Sequence, residues 1–300
     1  GRVVGASVAM RRLYPLCERL AASDLPAVIE GETGAGKELL AEALHEGGPR
    51  KARPFVVFDC AGIRGDAVLP ALFGDGGGTS LLEQAHGGTL LLDEIAELGD
   101  EAQARLLRFL DRREVRREGA RVVEADVRVL AASRRDLDEE VEQRRFRDEL
   151  FFRIAVSRIE LPPLRDREGD VSLLARSFWK TMAGHRAPFP PGLLERYERY
   201  RWPGNVRELK NVVARRVALG AFADAGSGDA APLGAGDVID QVLALDLPLV
   251  EARSKVVREF EARYLSKVLE QHGGNVSRAA AASGIARRYF QLLRARTDKK

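Results

Sequence analysis

Ala27-Val28-Ile29-Glu30 runs directly into Gly31-Glu32-Thr33-Gly34-Ala35-Gly36-Lys37, and this stretch decides how the chain folds. A short apolar strand gives way to a glycine-rich loop, and the loop to the helical pattern Glu38–Glu46. Strand, G-x-x-x-x-G-K and helix in that order define a P-loop. Its glycines let backbone N–H groups close around phosphates, and the helix N-terminus adds positive potential. Lys37 reaches the terminal phosphates. The expected contacts of ATP are therefore Gly31, Glu32, Thr33, Gly34, Ala35, Gly36, Lys37 and Glu38. Glu38 stands where a Ser or Thr would ordinarily bind Mg2+.

Outward from this loop, Phe55–Asp59, Thr89–Asp93 and Val127–Ala132 read as further buried strands, with helices such as Glu101–Leu110 between them. Strand–helix alternation up to about Leu161 predicts a mainly parallel sheet covered on both faces. The strand Thr89-Leu90-Leu91-Leu92-Asp93 ends in a second carboxylate, Glu94. Coupled to a P-loop one strand away, Asp93 suits a Mg2+ ligand, directly or through water. Glu94 suits the group that orients or deprotonates an attacking water.

Past Pro162-Pro163 the pattern is helical through Ala218. Residues from Gly220 to about Pro248 are rich in Gly, Ala, Asp and Pro and read as a linker. The expected division is 1–163, an α/β nucleotide-binding part; 164–220, a helical part; 221–248, the linker; and 249–300, a helical module. With 300 residues, 45% hydrophobic and 31% charged, the composition is that of a soluble globular chain. No apolar run approaches the roughly 18 residues a membrane helix needs, so no membrane partner is expected. Cys17 and Cys60 have no metal-ligand spacing, and a reducing cytoplasm suits two packing thiols. The net charge of +3 is small, but Arg287, Arg288, Arg294, Arg296, Lys299 and Lys300 crowd the last stretch.

Five motifs together carry a resemblance: GETGAGKEL at Gly31–Leu39, GGTLLLDEI at Gly87–Ile95, FRDELFFR at Phe146–Arg153, LPPLRDR at Leu161–Arg167 and WPGNVREL at Trp202–Leu209. The chain resembles the AAA+ domain of bacterial enhancer-binding proteins, the activators of sigma-54 RNA polymerase, followed by a Fis-type DNA-binding domain. The resemblance runs over nearly the whole chain. It implies an α/β P-loop AAA+ parallel sheet with a helical lid, plus a small all-α helix-turn-helix domain. In that family Glu is usual after the P-loop lysine. Arg147 and Arg153 align with arginines that a neighbouring subunit inserts against the γ-phosphate, which implies ring assembly, typically a hexamer. Arg207 aligns with a nucleotide-sensing lid arginine, and Val3, Val4 and Gly5 with the segment that contacts adenine. Trp202 and Pro203 pack and turn the chain.

Three positions depart from the family. Between Gly74 and Gly87 the chain reads Asp75-Gly76-Gly77-Gly78-Thr79-Ser80-Leu81-Leu82-Glu83-Gln84-Ala85-His86, with no GAFTGA sequence, the loop by which family members touch sigma-54. Asp75–Ser80 reads as a tight turn in its place. Arg134 stands where the family has Asn after the sensor strand. Asp59 replaces the Asn that holds the catalytic glutamate, and repulsion between the two carboxylates would raise one of their pKa values.

At the C-terminal end, Glu251–Gln271 carries Val257, Phe260, Tyr264 and Val268 at helical spacing, and resemblance to Fis makes it a dimer helix; core packing within one protomer is the other reading. Asn275 is placed to cap a helix through Ala279–Ala282, Gly284 makes a turn, Ile285 plugs the core, and Arg287–Arg296 forms a second helix. That layout puts the second helix in the major groove of double-stranded DNA. Arg287, Arg288, Tyr289 and Gln291 are the candidate base contacts, and Arg294 meets phosphate. Ala286 stands where a capping Ser or Thr is usual. The sequence thus describes a cytoplasmic ATP- and Mg2+-dependent DNA-binding regulator and ATPase that assembles with itself, as dimer or hexameric ring. RNA polymerase is a further partner, but conventional sigma-54 activation is not expected. The alternative is a DNA-binding switch or repressor that holds nucleotide without hydrolysis.

Overall fold

The computed structural model describes residues 5–63, 65–74, 78–116, 122–184, 187–190, 192–220, 248–272, 275–286, 290, 291 and 293. The chain divides into two compact units, residues 1–229 and 230–300.

The first unit opens with α1 (Val8–Ala21), capped by the Ser7 hydroxyl, which accepts from the Met10 amide. Then come β1 (Ala27–Glu30), α2 (Lys37–Glu46), β2 (Phe55–Asp59), α3 (Val68–Phe73) and α4 (Leu81–Gln84). They are followed by β3 (Thr89–Asp93), α5 (Asp100–Arg112), the hairpin β4 (Glu114–Arg116) and β5 (Val122–Glu124), and β6 (Arg128–Ser133). The hairpin was not anticipated. The sensor strand begins and ends one residue later than the sequence indicated. After α6 (Leu137–Glu142), α7 (Asp148–Ile154) and β7 (Arg158–Glu160), the chain is helical: α8 (Asp170–Ala183), α9 (Leu193–Glu198) and α10 (Asn205–Leu219).

Five strands pair in parallel in the order β2-β3-β6-β1-β7. β6 therefore lies between the P-loop strand β1 and the acidic strand β3. The central strands are continuous apolar runs because both faces of the sheet are covered. On one face Val28, Leu90, Leu92, Val129 and Ala131 pack under α5 and α7. On the other, Ala27, Ile29, Leu91, Leu130 and Ala132 pack under α1 and α2. Each fully buried Leu or Ile contributes about 1.5–3 kcal/mol. Parallel strands of this kind bring their carboxyl ends, and the loops that follow them, to one edge.

The helical part, α8–α10, closes on Trp202, which is fully buried with its indole N–H donating to the Tyr197 carbonyl at 2.8 Å. Asp170, at the start of α8, is fully buried and accepts from the Ala6 and Ser7 amides at 2.6 and 2.9 Å, tying the N-terminal segment to this part.

In the second unit, α11 (Leu249–Gln271) packs Leu265 and Val268 against Ala279 and Ala280 of α12 (Val276–Ala282) and against Phe290 and Leu293. Of the expected stripe, only Val268 enters this core; Val257, Phe260 and Tyr264 remain exposed, with the Phe260 and Tyr264 rings stacked at 5.9 Å. Residues 221–247, the expected linker, lie outside the described residues. Among the described residues no helix is long and apolar enough to cross a membrane.

Candidate nucleotide-binding site

The loop between β1 and α2 needs left-handed backbone. Gly36, at the N-cap of α2, has φ 107°, and Gly34 has φ 76°. At Gly34 a Cβ would also lie 2.3 Å from the Gly204 carbonyl oxygen, so only glycine lets the helical part approach the loop. Ala35 is buried, and its carbonyl accepts from Arg167 at 2.9 Å. The first-turn amides of α2 have no partner within the helix and no side-chain cap, and this end of α2 adjoins the loop, an anion-binding arrangement.

Lys37 is 6% exposed and folds back over the loop, donating to the carbonyls of Gly31 at 2.8 Å and Glu32 at 3.4 Å. Its Nζ lies 3.6 Å from Glu94 Oε1. Asp93 ends β3 and Glu94 follows it with φ 52°, a left-handed conformation rare for a non-glycine residue. Asp93 Oδ1 accepts from the Glu94 amide at 3.1 Å. Burial first, and the adjacent Glu94 charge second, push the Asp93 carboxyl above its usual range, against the pull of Lys37. Asp93 is thus a carboxyl whose pKa is raised. Asp59 is exposed and turns onto its own loop, its Oδ1 accepting from the Ala61 amide at 2.9 Å.

Arg134 follows β6, so the intervening strand delivers it between loop and acids. Its backbone amide donates to Glu94 Oε2 at 3.2 Å, and its guanidinium Nε lies 3.7 Å from the same oxygen.

The helical part closes the site. Asn205 Nδ2 donates to Glu32 Oε2 at 3.0 Å and to the Thr33 carbonyl at 3.1 Å, while its Oδ1 accepts from the Leu164 amide at 2.7 Å. The Arg207 amide donates to the Gly34 carbonyl at 3.2 Å. Arg165 holds the Glu32 carboxylate through two bonds of 2.8 and 2.6 Å. These bonds, with that of Asn205, hold the Glu32 carboxyl down to about 2.

A cleft of about 550 Å³ results, lined by Thr33, Gly34, Gly36, Lys37, Glu38, Asp93, Glu94 and Arg207 among the residues read from the sequence. Lys210 lines it too and went unnoticed, although it lies three residues after Arg207 on α10. Asp59 and Arg134 also border it. Arg147 and Arg153 are elsewhere: Arg147 is paired with Asp100 at 2.8 Å, and Arg153 with Asp111 at 3.2 Å. Gly5, whose carbonyl accepts from Tyr14 at 2.7 Å, is described; Val3 and Val4 are not.

In the second unit Asn275 caps α12, accepting from the Ser277 and Arg278 amides at 3.1 Å each, and Gly284 turns the chain with φ 68°. Ile285 packs against the core, Phe290 and Leu293 are buried, and Gln291 is exposed. Arg287, Arg288, Tyr289 and Arg294 lie outside the described residues.

A P-loop after β1, next to the central strand β6 of a five-stranded parallel sheet and closed by a helical lid, is the AAA+ architecture. The chain belongs to the Sigma-54 interaction domain family, whose pattern it matches over residues 3–160. Residues 165–224 match the AAA+ ATPase lid domain, and residues 256–290 the Fis family of bacterial regulatory proteins. The chain is 40% identical to the DNA-binding transcriptional regulator NtrC of Azospirillum brasilense over 90% of its own length and 56% of that protein's. It is 38% identical to the regulatory protein ZraR of Klebsiella oxytoca over 95% of its own length and 67% of that protein's. A crystal structure of NtrX from Brucella abortus in complex with ATP superposes with a TM-score of 0.70 at 33% identity, over 99% of this chain and 69% of that one. The chain thus spans about half to two thirds of these relatives.

Proposed function

We propose that this chain is an ATP-binding, DNA-binding transcription regulator of the AAA+ enhancer-binding type that does not work through the usual sigma-54 contact. The observation that carries the reading is the cleft in which Lys37, Asp93, Glu94 and Arg207 meet under a lid bonded to the P-loop.

The site fits its nucleotide on three counts. The loop leads into the amide end of α2, Lys37 holds two loop carbonyls and one carboxylate among the described residues, and the cleft has the size usual for a cofactor site. Lys37 and the α2 N-terminus would hold phosphates, Arg207 and Lys210 would close over them from the lid, and Asp93 would hold Mg2+. Bound Mg2+ supplies neutralisation of phosphate charge. Glu94 orients the attacking water. Arg147 and Arg153, exposed on α7 and just before it, serve an adjoining copy, so that dimer or ring formation controls turnover. The Brucella abortus NtrX structure with ATP supports the nucleotide. Asn275 and the core around Phe290 support a helix-turn-helix that presents Arg287, Arg288, Tyr289, Gln291 and Arg294 to DNA.

Residues 74–79 carry no GAFTGA sequence. They alone join α3 to Ser80, and Ser80 already belongs to α4, whose capping box it forms with Glu83. An interval of six residues without the GAFTGA sequence supports a departure from the usual sigma-54 contact.

A second reading, a nucleotide-holding switch without turnover, is favoured by the Arg134 contact with Glu94. Binding of a fluorescent ATP analogue and steady-state phosphate release, compared between wild type, Lys37→Ala and Glu94→Gln, test both. Loss of binding in Lys37→Ala and loss of turnover in Glu94→Gln are expected. Equal, negligible release by wild type and Glu94→Gln removes the ATPase reading, and absent binding removes both. Opening of a sigma-54 promoter by the full chain would overturn the sigma-54 part.

A further inference from the structure

We infer that Arg134 is a positioning residue that brakes hydrolysis by clamping the Glu94 carboxylate; the inference rests on the nucleotide reading above. Glu94 is only 17% exposed and has a cation on each side. Lys37 faces Oε1 at 3.6 Å, and the Arg134 guanidinium faces Oε2 at 3.7 Å. The Arg134 amide adds a hydrogen bond to Oε2 at 3.2 Å. One oxygen is thus occupied from two directions by a single residue.

The guanidinium is half exposed, and what fixes its direction is a second acid. Arg134 Nη2 donates to Glu97 Oε1 at 3.1 Å, and Arg135 Nη2 donates to the same oxygen at 2.6 Å. Glu94 and Glu97 cap and close the single turn Ile95–Glu97, so the two carboxylates bracket Arg134 from one rigid element. The two cations on Glu94 differ in their prospects. Lys37 has phosphates to turn to when nucleotide enters, whereas Arg134 is anchored to Glu97. Arg134 is then the cation left on the carboxylate. An oxygen so engaged is a poorer hydrogen-bond acceptor for an attacking water, and turnover slows while binding is spared.

Replacing the side chain leaves the backbone bond at 3.2 Å in place, so substitution tests the guanidinium alone. Because Arg134 also borders the nucleotide cleft, the rival role of phosphate ligand predicts the opposite outcome. The experiment uses the full chain as wild type, Arg134→Asn, Arg134→Gln, Arg134→Lys and Arg134→Asn/Glu94→Gln. It measures steady-state phosphate release at saturating MgATP and equilibrium binding of a fluorescent non-hydrolysable ATP analogue. Arg134→Asn and Arg134→Gln should raise kcat about fivefold, the rate equivalent of one partly exposed ion pair. Analogue affinity should stay within about twofold in both, since a contact absent from the bound phosphates costs no binding. Arg134→Lys keeps the charge but not the fork that spans Glu94 and Glu97, so its kcat should lie between wild type and Arg134→Asn, and the double variant should be inactive. Two neutral variants guard against one failing to fold. Turnover at or below wild type in both, or a shared loss of analogue affinity of about fivefold or more, overturns the brake while the nucleotide reading stands. A wild-type chain that binds no analogue overturns the nucleotide reading itself, and the brake with it.

Discussion

Asp100, the first residue of α5, grips Arg147 through both carboxylate oxygens, with Nε and Nη2 each donating at 2.8 Å. Asp111, near the other end of the same helix, pairs with Arg153 at 3.2 Å. Both arginines proposed to act on a neighbouring copy are thus held by carboxylates of their own. These pairs are exposed, so they contribute little stability, and their consequence is positional. Asp100→Asn should leave the melting temperature nearly unchanged and free Arg147 to engage a neighbour. The rise of ATP turnover with protein concentration should then begin at a lower concentration, while Arg147→Ala should flatten it. A turnover curve for Asp100→Asn superimposable on wild type would show that the pair does not restrain Arg147.

The latch between P-loop and lid titrates. Glu32 is held to about 2 in the fold by Arg165 and Asn205, against a normal value of 4.5. A carboxyl whose folded value is depressed contributes stability above its unfolded value and loses it as pH falls through the folded one. The contribution of Glu32 is therefore complete above about pH 4.5 and fades toward pH 2. Glu32→Gln should lower stability at neutral pH and flatten its decline over that acid window. Urea unfolding of both proteins at a series of pH values checks this. Parallel slopes would mean that the two bonds from Arg165 contribute nothing.

Trp202 is the keystone of the lid, fully buried with the Tyr197 and Tyr200 rings edge-on at 5.5 and 5.0 Å. Trp202→Ala should cost about 3–5 kcal/mol, as removal of a large buried aromatic does. Because Asn205 and Arg207 follow it directly, nucleotide affinity should fall as well. Trp202→Phe, which keeps most of the volume, should recover the greater part of both in denaturation and analogue-binding measurements. Equal losses in Phe and Ala variants would point to the indole N–H bond rather than to packing.

The parts of the fold that were legible are those where local pattern and global position agree. β1, β2 and β3 were bounded correctly because each is an apolar run with a sharp polar or glycine end. α1 was missed: Pro15 interrupts its pattern, and a helix carrying an internal proline reads poorly. β7 is three residues long with only Ile159 buried, too brief to show a period. At the site, spacing alone brought out Lys37, Asp93 and Glu94. The bonds of Arg134 to Glu94 and of Asn205 to Glu32 were not legible, since each joins residues 40 or 173 positions apart. Only the sheet order, with β6 between β1 and β3, creates the first of them.

The two units can be probed separately, because Trp179 and Trp202 both lie in the first while the second has none. Asn275 satisfies two otherwise unpaired amides at the start of α12, and loss of such a cap costs about 1 kcal/mol. A loss of that size is large for so small a unit, whose stability per residue is on the order of 0.1 kcal/mol. Asn275→Ala should therefore shift the far-ultraviolet circular dichroism transition of the second unit to lower denaturant and weaken binding to DNA. Tryptophan fluorescence, which sees the nucleotide unit alone, should not move, and Asn275→Asp should restore most of the loss. A common shift in both signals would mean that the two units unfold as one.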